Sequence, residues 1–154
     1  MDPIEGSVLQ GFPQPEWNRQ DSISAAIVAA HSVKDGEEIR TAARKLLGTV
    51  ANDHRGTYYP VILPVLPIFE RVLESDNGIA KQIVLGTLGN IVDCFQPEDG
   101  YEEFLMPDGK TIRLHDEFMR VVKGMIPLIK RISHESTVAG AMAREILSDF
   151  AEGN

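Results

Sequence analysis

The sequence predicts an all-α fold: a right-handed stack of about three antiparallel helical pairs, interrupted by a small β-hairpin near residues 103–113. Three observations predict it. Apolar residues recur at helical spacing in six segments of the 154-residue chain, which marks amphipathic helices. A proline-interrupted apolar helix and its partner, within residues 54–93, return in diluted form about sixty positions later. Between the two copies, Pro107-Asp108-Gly109 separates two short runs of strand-like composition, the pattern of a hairpin turn. A chain of this length forms a single domain and buries a core without disulfide staples.

Residues 1–19 hold Pro3, Pro13 and Pro15 with two glycines, so they read as an irregular arm that Phe12 and Trp17 pin to the first helices. Asp21 or Ser22 caps a first helix over residues 23–32, where Ile23, Ala26, Ile27 and Ala30 share a face. Lys34-Asp35-Gly36 breaks that pattern. Glu37 and Glu38 open the second helix, their charges complementing the positive end of its dipole. Ile39, Ala42, Ala43, Leu46, Leu47 and Val50 give this helix a clean apolar stripe.

Residues 52–57 read as a polar loop. The third helix, near residues 59–74, carries Pro60, Pro64 and Pro67. Proline is welcome in a first turn, so Pro60 fits, whereas Pro64 and Pro67 are expected to remove hydrogen bonds and bend the helix. Asp76-Asn77-Gly78 closes it. A fourth helix spans about residues 79–95, with Ile79, Ile83, Val84, Leu88, Ile91, Val92 and Phe95 inward. Gly86 and Gly89 weaken it by up to about 1 kcal/mol each relative to alanine and permit a close helix crossing. The fifth helix, residues 115–132, presents Phe118, Val121, Val122, Met125, Ile129 and Ile132, with a kink at Pro127. The sixth starts at Thr137 and buries Val138, Met142, Ala143, Ile146, Leu147 and Phe150.

Helices three and five align at an offset of 60, matching Leu66 with Ile126, Pro67 with Pro127, Phe69 with Ile129 and Val72 with Ile132. Helices four and six align at 59, matching Ile79 with Val138, Ile83 with Met142, Leu88 with Leu147 and Ile91 with Phe150. A shared proline inside an apolar helix is a stronger match than shared aliphatics. The reading is one helical pair used again, each pair burying its face on the next. The period exceeds the roughly 40–47 residues of a HEAT-type unit, and the segment 96–114 accounts for the excess.

The residues His54, Gly56, Thr57, Tyr59 and Pro60, followed by an apolar helix with Pro67, form a pattern H-x-G-T-x-Y-P…P. In this the chain resembles bacterial HEAT-like helical-repeat proteins, a group that includes proteins encoded beside toxin genes and regarded as immunity proteins. The resemblance covers about forty residues well and the C-terminal pair loosely, with Arg55 and Tyr58 at its variable positions. It implies a HEAT-like fold and a role in binding a protein rather than transforming a substrate.

Composition narrows the function independently. The single cysteine, Cys94, excludes an internal disulfide and a cysteine-based zinc site; following Val92 by two positions, it is expected to be buried and inert. No basic segment leads an apolar run, and no apolar run approaches the length of a membrane span, so a cytosolic protein is expected. The net charge of −8 disfavours direct binding of nucleic acid or anionic lipid. It either keeps the chain soluble or steers it toward a basic protein.

The four histidines are scattered without metal-ligand spacing, and His115-Asp116-Glu117 reads as a solvated first turn. Ser24, Ser133, Ser136 and Cys94 sit on no strand-to-helix elbow, and no glycine-rich phosphate loop is present. We therefore expect no catalytic residue, no cofactor and no metal.

The segment 96–117 is the strongest signal outside the core. It carries Glu98, Asp99, Glu102, Glu103, Asp108, Asp116 and Glu117 against Lys110 and Arg113, a net of −5 in 22 residues. Tyr101 and Phe104 interleave as aromatic anchors of the kind interfaces favour. Two readings stand: a solvated loop whose aromatics fold back on the helices, or a docking surface for a basic protein. On the second reading these residues bind the partner, and His54 with Tyr58 form a secondary contact, although His54 with Thr57 also suits bracing of the loop. The expected function is that of a monomeric immunity protein covering the basic active-site or substrate-binding surface of a toxin. A general scaffold in a larger assembly is the alternative.

Overall fold

In the computed structural model, which describes residues 6–152, side-chain caps open three of the seven helices. The seven are α1 (Gly6–Leu9), α2 (Ser22–Ser32), α3 (Gly36–Val50), α4 (Ile62–Glu74), α5 (Gly78–Cys94), α6 (Leu114–Ser133) and α7 (Val138–Glu152). At α3, Asp35 Oδ1 accepts from the Glu38 amide at 2.9 Å while the Glu38 carboxylate accepts from the Lys34 amide at 3.2 Å, a reciprocal closure of the first turn. Asn77 Oδ1 caps α5 through the Ala80 amide at 3.0 Å, and Thr137 Oγ1 caps α7 through the Gly140 amide at 3.0 Å. Neither expected cap of α2 operates: Asp21 makes no side-chain cap bond, and Ser22 Oγ accepts from the Arg19 amide instead.

The third expected helix starts later than its pattern suggested. Tyr59-Pro60-Val61 forms a turn, with the Ile62 and Leu63 amides bonded to the Tyr59 and Pro60 carbonyls at 3.0 Å. Pro64 therefore lies in the first turn, where an amide has no intrahelical acceptor and proline costs no helical bond. Pro67 and Pro127 are the interior prolines of α4 and α6, and both are exposed, so each ring faces away from the core.

Short loops at residues 33–35, 75–77 and 134–137 join α2 to α3, α4 to α5 and α6 to α7 as antiparallel neighbours. The pairs then stack: α3 packs on α5 and α5 on α7 in one layer, while α4 packs on α6 in the other. Tyr58, Phe69, Phe118, Leu66, Ile83 and Leu88 are among the fully buried side chains of the common core. Phe69 and Ile129 are both buried, as are Val72 and Ile132. In α7, however, Val138 is exposed, and Met142, Leu147 and Phe150 are half-buried where Ile83, Leu88 and Ile91 of α5 are covered. The cause is position, since α5 is sandwiched between α3 and α7. Gly86 does mark a close crossing, since a Cβ there would sit 3.3 Å from Met142 Cε, whereas a Cβ at Gly89 would meet Ile146 Cγ1 at an ordinary 3.5 Å.

The inserted hairpin pairs β4 (Glu103–Leu105) with β5 (Thr111–Arg113) in the register Phe104↔Ile112, over the span expected from the sequence. Gly109 closes it at φ +90°. A second sheet was not foreseen. Residues 52–57, expected as a polar loop, form the turn of a short ladder β1 (Ala51–Asn52) to β2 (Thr57–Tyr58), with Gly56 at φ +64°. β3 (Gln96–Pro97) adds in parallel to β2, so the insertion is rooted on the loop that enters α4.

Cys94 is exposed, not buried. Two positions is 200° around a helix, so its relation to Val92 carried no information. Cys94 shares a face with the exposed Asn90, whose carbonyl lies 3.7 Å from its Sγ.

Candidate functional site

The acidic segment is held by a latch at its root. Strand β3 delivers Glu98 beside β2, its amide bonded to the Tyr58 carbonyl at 2.9 Å. Thr57 Oγ1 donates to Glu98 Oε2, and Arg55 Nη1 lies 3.2 Å from Oε1. Arg55 also reaches Asp99 Oδ2 at 2.7 Å. Glu98 is 7% exposed, so this expected partner contact is a buried brace with its charge compensated. Asp99 remains exposed and shares the same guanidinium, so the cluster of Arg55, Glu98 and Asp99 keeps one net negative charge.

Phe104 is likewise turned inward. Alternation along β4 buries it between exposed Glu103 and Leu105, and its ring lies 5.9 Å from Phe12 of the N-terminal arm. Tyr101 is half-buried on Tyr59 at 6.0 Å, which meets Trp17 edge-on at 6.3 Å. Trp17 is half-exposed and donates from Nε1 to the Gly48 carbonyl at 2.8 Å. The arm thus lies along the insertion, and the aromatics expected as anchors serve to hold it there. The exposed apolar side chain of the hairpin is Leu105, at 63%, which sequence reasoning missed; period-two alternation from Phe104 was the signal that could have found it.

Glu102, Glu103, Asp108 and Asp116 are exposed as expected. Asp108 accepts from the Lys110 amide within the turn, and the Glu102 carboxylate from the Gly100 amide. The Glu102 carbonyl takes the first amide of α6, Leu114, at 2.9 Å, which fixes hairpin and helix together. Arg113 approaches Asp116 at 3.8 Å with both side chains well exposed, a contact of little energetic weight. Glu117 is part-covered and chelated by Arg120 at 2.5 and 3.0 Å; this hydrogen bonding lowers its pKa below the usual carboxylate range.

Of the secondary pair, His54 is exposed, but Tyr58 is fully buried. Its ring packs 5.1 Å from Phe118, and its hydroxyl lies 3.0 Å from His115 Nδ1. A neutral His115 with Nδ1 unprotonated accepts from the phenol; a protonated ring must donate to the hydroxyl oxygen. Burial, then the Asp116 charge, pushes the Tyr58 pKa strongly up. Tyr58 is a core tyrosine with one polar tether, not a contact residue. Tyr58→Phe is expected to cost about 1 kcal/mol, the net worth of one hydrogen bond, measured by urea unfolding. Because the folded-state pKa is raised, Tyr58 supplies stability below the ordinary tyrosine value of 10.0 that is lost as pH rises through it. The variant should accordingly flatten the alkaline limb of the stability–pH profile.

Folding adds carboxylates from distant sequence. The C-terminal ends of α5 and α7 meet the start of α6, where a cleft of about 420 Å³ is lined by Asp93, His115, Met119, Lys123, Asp149 and Glu152. Next to it, between α5 and α7, a cleft of about 370 Å³ over Leu85 and Ile146 shares Asp93, Asp149 and Glu152 and adds Glu145. None of these four acids makes an ion pair among the described residues. The acidic surface therefore extends past the insertion onto the helix ends, and no local charge run announced it.

Among the described residues no three His, Cys, Asp or Glu side chains are grouped to hold a metal ion, and no helix is long and apolar enough to cross a membrane. Comparison with protein-family models, curated proteins and solved structures returned no match. The geometry itself offers a rigid, charge-segregated surface with one exposed aliphatic side chain at the hairpin.

Proposed function

We propose that this chain is a non-enzymatic protein-binding module, a cytosolic immunity protein that neutralises a cognate toxin by covering its basic active-site or substrate-binding surface. The observation that supports this most is the run of exposed carboxylates on the insertion and the start of α6, Glu102, Glu103, Asp108 and Asp116, together with Asp93, Asp149 and Glu152 where the ends of α5 and α7 meet that start. Such a surface speeds encounter with a cationic partner and rejects anionic ones. Leu105 supplies the apolar contact, and the arm, latch and α6 junction hold the insertion rigid, so little ordering entropy is lost on docking.

The direct test is co-purification and growth rescue with the product of the adjacent gene. Absence of both binding and rescue would remove the immunity role. The charge argument has its own test. Reversing Glu102, Glu103 and Asp108 to lysine is expected to slow association about tenfold at low salt and to flatten its salt dependence, measured by stopped-flow or surface binding kinetics. Indifference to these changes moves the docking surface elsewhere, with exposed His54 the next residue to vary.

A further inference from the structure

We propose that the outer face of α2 and α3 is a self-association surface on which a second copy of this chain docks in antiparallel orientation. The first observation is that α2 exposes aliphatic carbon on the side away from the core, among Ser22, Ser24 and Ser32. From Ser22 to Ala30 it carries no charged residue. Ile23, Ala26, Ile27 and Ala30 are buried in the core, yet Ala25 is exposed, Ala29 is half-buried and Val28 is 52% exposed on the opposite side.

The second observation is the shape of that face. Between α2 and α3 run two hollows, of about 600 and 400 Å³, which meet at Lys45. The small side chains Ala25 and Ala29 of α2 line these hollows and let another helix approach closely, with exposed Val28 on the same helix beside them. The larger hollow is floored by Ala29, Val33 and Ala42.

The charge pattern selects the occupant. One end of the groove carries Asp35, Glu37 and Glu38; the other carries Arg19 and Arg44, with Asp21 as its one acid, and Lys45 stands where the two hollows meet. Glu37, Arg44 and Lys45 have no ion-pair partner among the described residues. A two-fold axis across the groove lays the acidic end of each copy on the basic end of the other, so one patch complements itself, as an isologous dimer requires. A parallel arrangement would set like charges together. The root of the acidic insertion pairs with β2 just beyond the end of α3. Antiparallel docking therefore sends the two acidic ends in opposite directions, which limits repulsion and leaves both open.

The size of the face sets the strength. Fifteen residues of α3 extend about 22 Å, and two helices side by side are about 20 Å wide. That footprint is about 440 Å² per copy, or about 900 Å² in total, which falls in the range of weak, transient contacts below about 1,200 Å², so a reversible dimer with a Kd of about 100 µM is expected.

Sedimentation velocity on the full chain without any partner, from about 5 to 200 µM, tests this across the expected Kd. Wild type should pass from monomer toward dimer in that range. Val28→Asp, at an exposed position that leaves the core intact, should weaken the dimer at least about tenfold with an unchanged unfolding midpoint. Val138→Asp, on exposed α7 surface, should leave it unaffected. A Glu37→Lys, Thr41→Lys protein and an Arg44→Glu, Lys45→Glu protein should each be monomeric, and their mixture should form a heterodimer. A wild type that stays monomeric, a dimer indifferent to Val28→Asp, one lost on Val138→Asp, or charge-swapped proteins that fail to combine would each overturn the proposal. None of these outcomes bears on the acidic end.

Discussion

Replacing Gly140 by alanine is expected to destabilise the fold by about 3 kcal/mol, at the upper end of typical overpacking costs, although alanine is the better helix former. A Cβ at Gly140 would lie 2.1 Å from the Glu135 carbonyl oxygen, 3.0 Å from its carbon and 3.1 Å from the Ile132 oxygen. All three are backbone atoms, so no rotamer change relieves the contact. The loop cannot swing away cheaply either. The Glu135 amide is bonded to Ile132 at 2.9 Å, Arg144 holds the Ser133 carbonyl, and the Glu135 carboxylate lies 3.5 Å from Lys81 on α5. Helix propensity alone argues the other way by about 1 kcal/mol. Gly124 isolates that term, because its Cβ would meet nothing within 4 Å; Gly124→Ala should stabilise by up to about 1 kcal/mol. Urea or thermal unfolding of both variants decides the matter. A neutral or stabilising Gly140→Ala would mean that the α6–α7 loop relaxes freely.

Gly140 also illustrates what a sequence does and does not disclose. The stripe from Ile39 to Val50 announced α3 because helical periodicity is local, and the same holds for the five other long helices and for the Pro107-Asp108-Gly109 turn. Nothing in the local pattern marks Gly140, since its constraint comes from how the backbone of the preceding loop folds back against it. Glu98 and Phe104 looked like exposed interface residues because their run is acidic and aromatic. Their true partners are Thr57, 41 positions earlier, and Phe12 in the arm. Tyr58 was placed on the surface by its setting in a polar motif, whereas α6 closes over it. Asp93, Asp149 and Glu152 escaped notice for the converse reason: they are isolated in sequence, and packing of three helix ends brings them together. Local pattern thus carried the elements, and long-range contact decided which members of the acidic segment face solvent.

Glu98→Ala should cost about 2 kcal/mol and loosen the insertion without unfolding the stack. The carboxylate is buried against Thr57, itself buried, and against Arg55, whose side chain is 52% exposed. Losing one partner of a fully buried pair costs about 3–5 kcal/mol. Here Arg55 keeps water and Asp99, so the uncompensated group is chiefly the Thr57 hydroxyl, at about 1–3 kcal/mol. If that is the cause, adding Thr57→Val to Glu98→Ala should recover part of the loss, a coupling that a double-mutant cycle reads directly. Limited proteolysis should show cleavage within residues 99–113 at conditions where wild type resists, because the β3 root no longer anchors the hairpin. The two classes of variant then separate positioning from charge at the proposed docking end. Reversal of Glu102, Glu103 and Asp108 removes long-range attraction and acts on association. Glu98→Ala leaves the exposed carboxylates in place and frees their support, so its expected effect is faster dissociation with an almost unchanged on-rate. A partner whose on-rate falls with Glu98→Ala would show that the latch shapes the encounter surface itself.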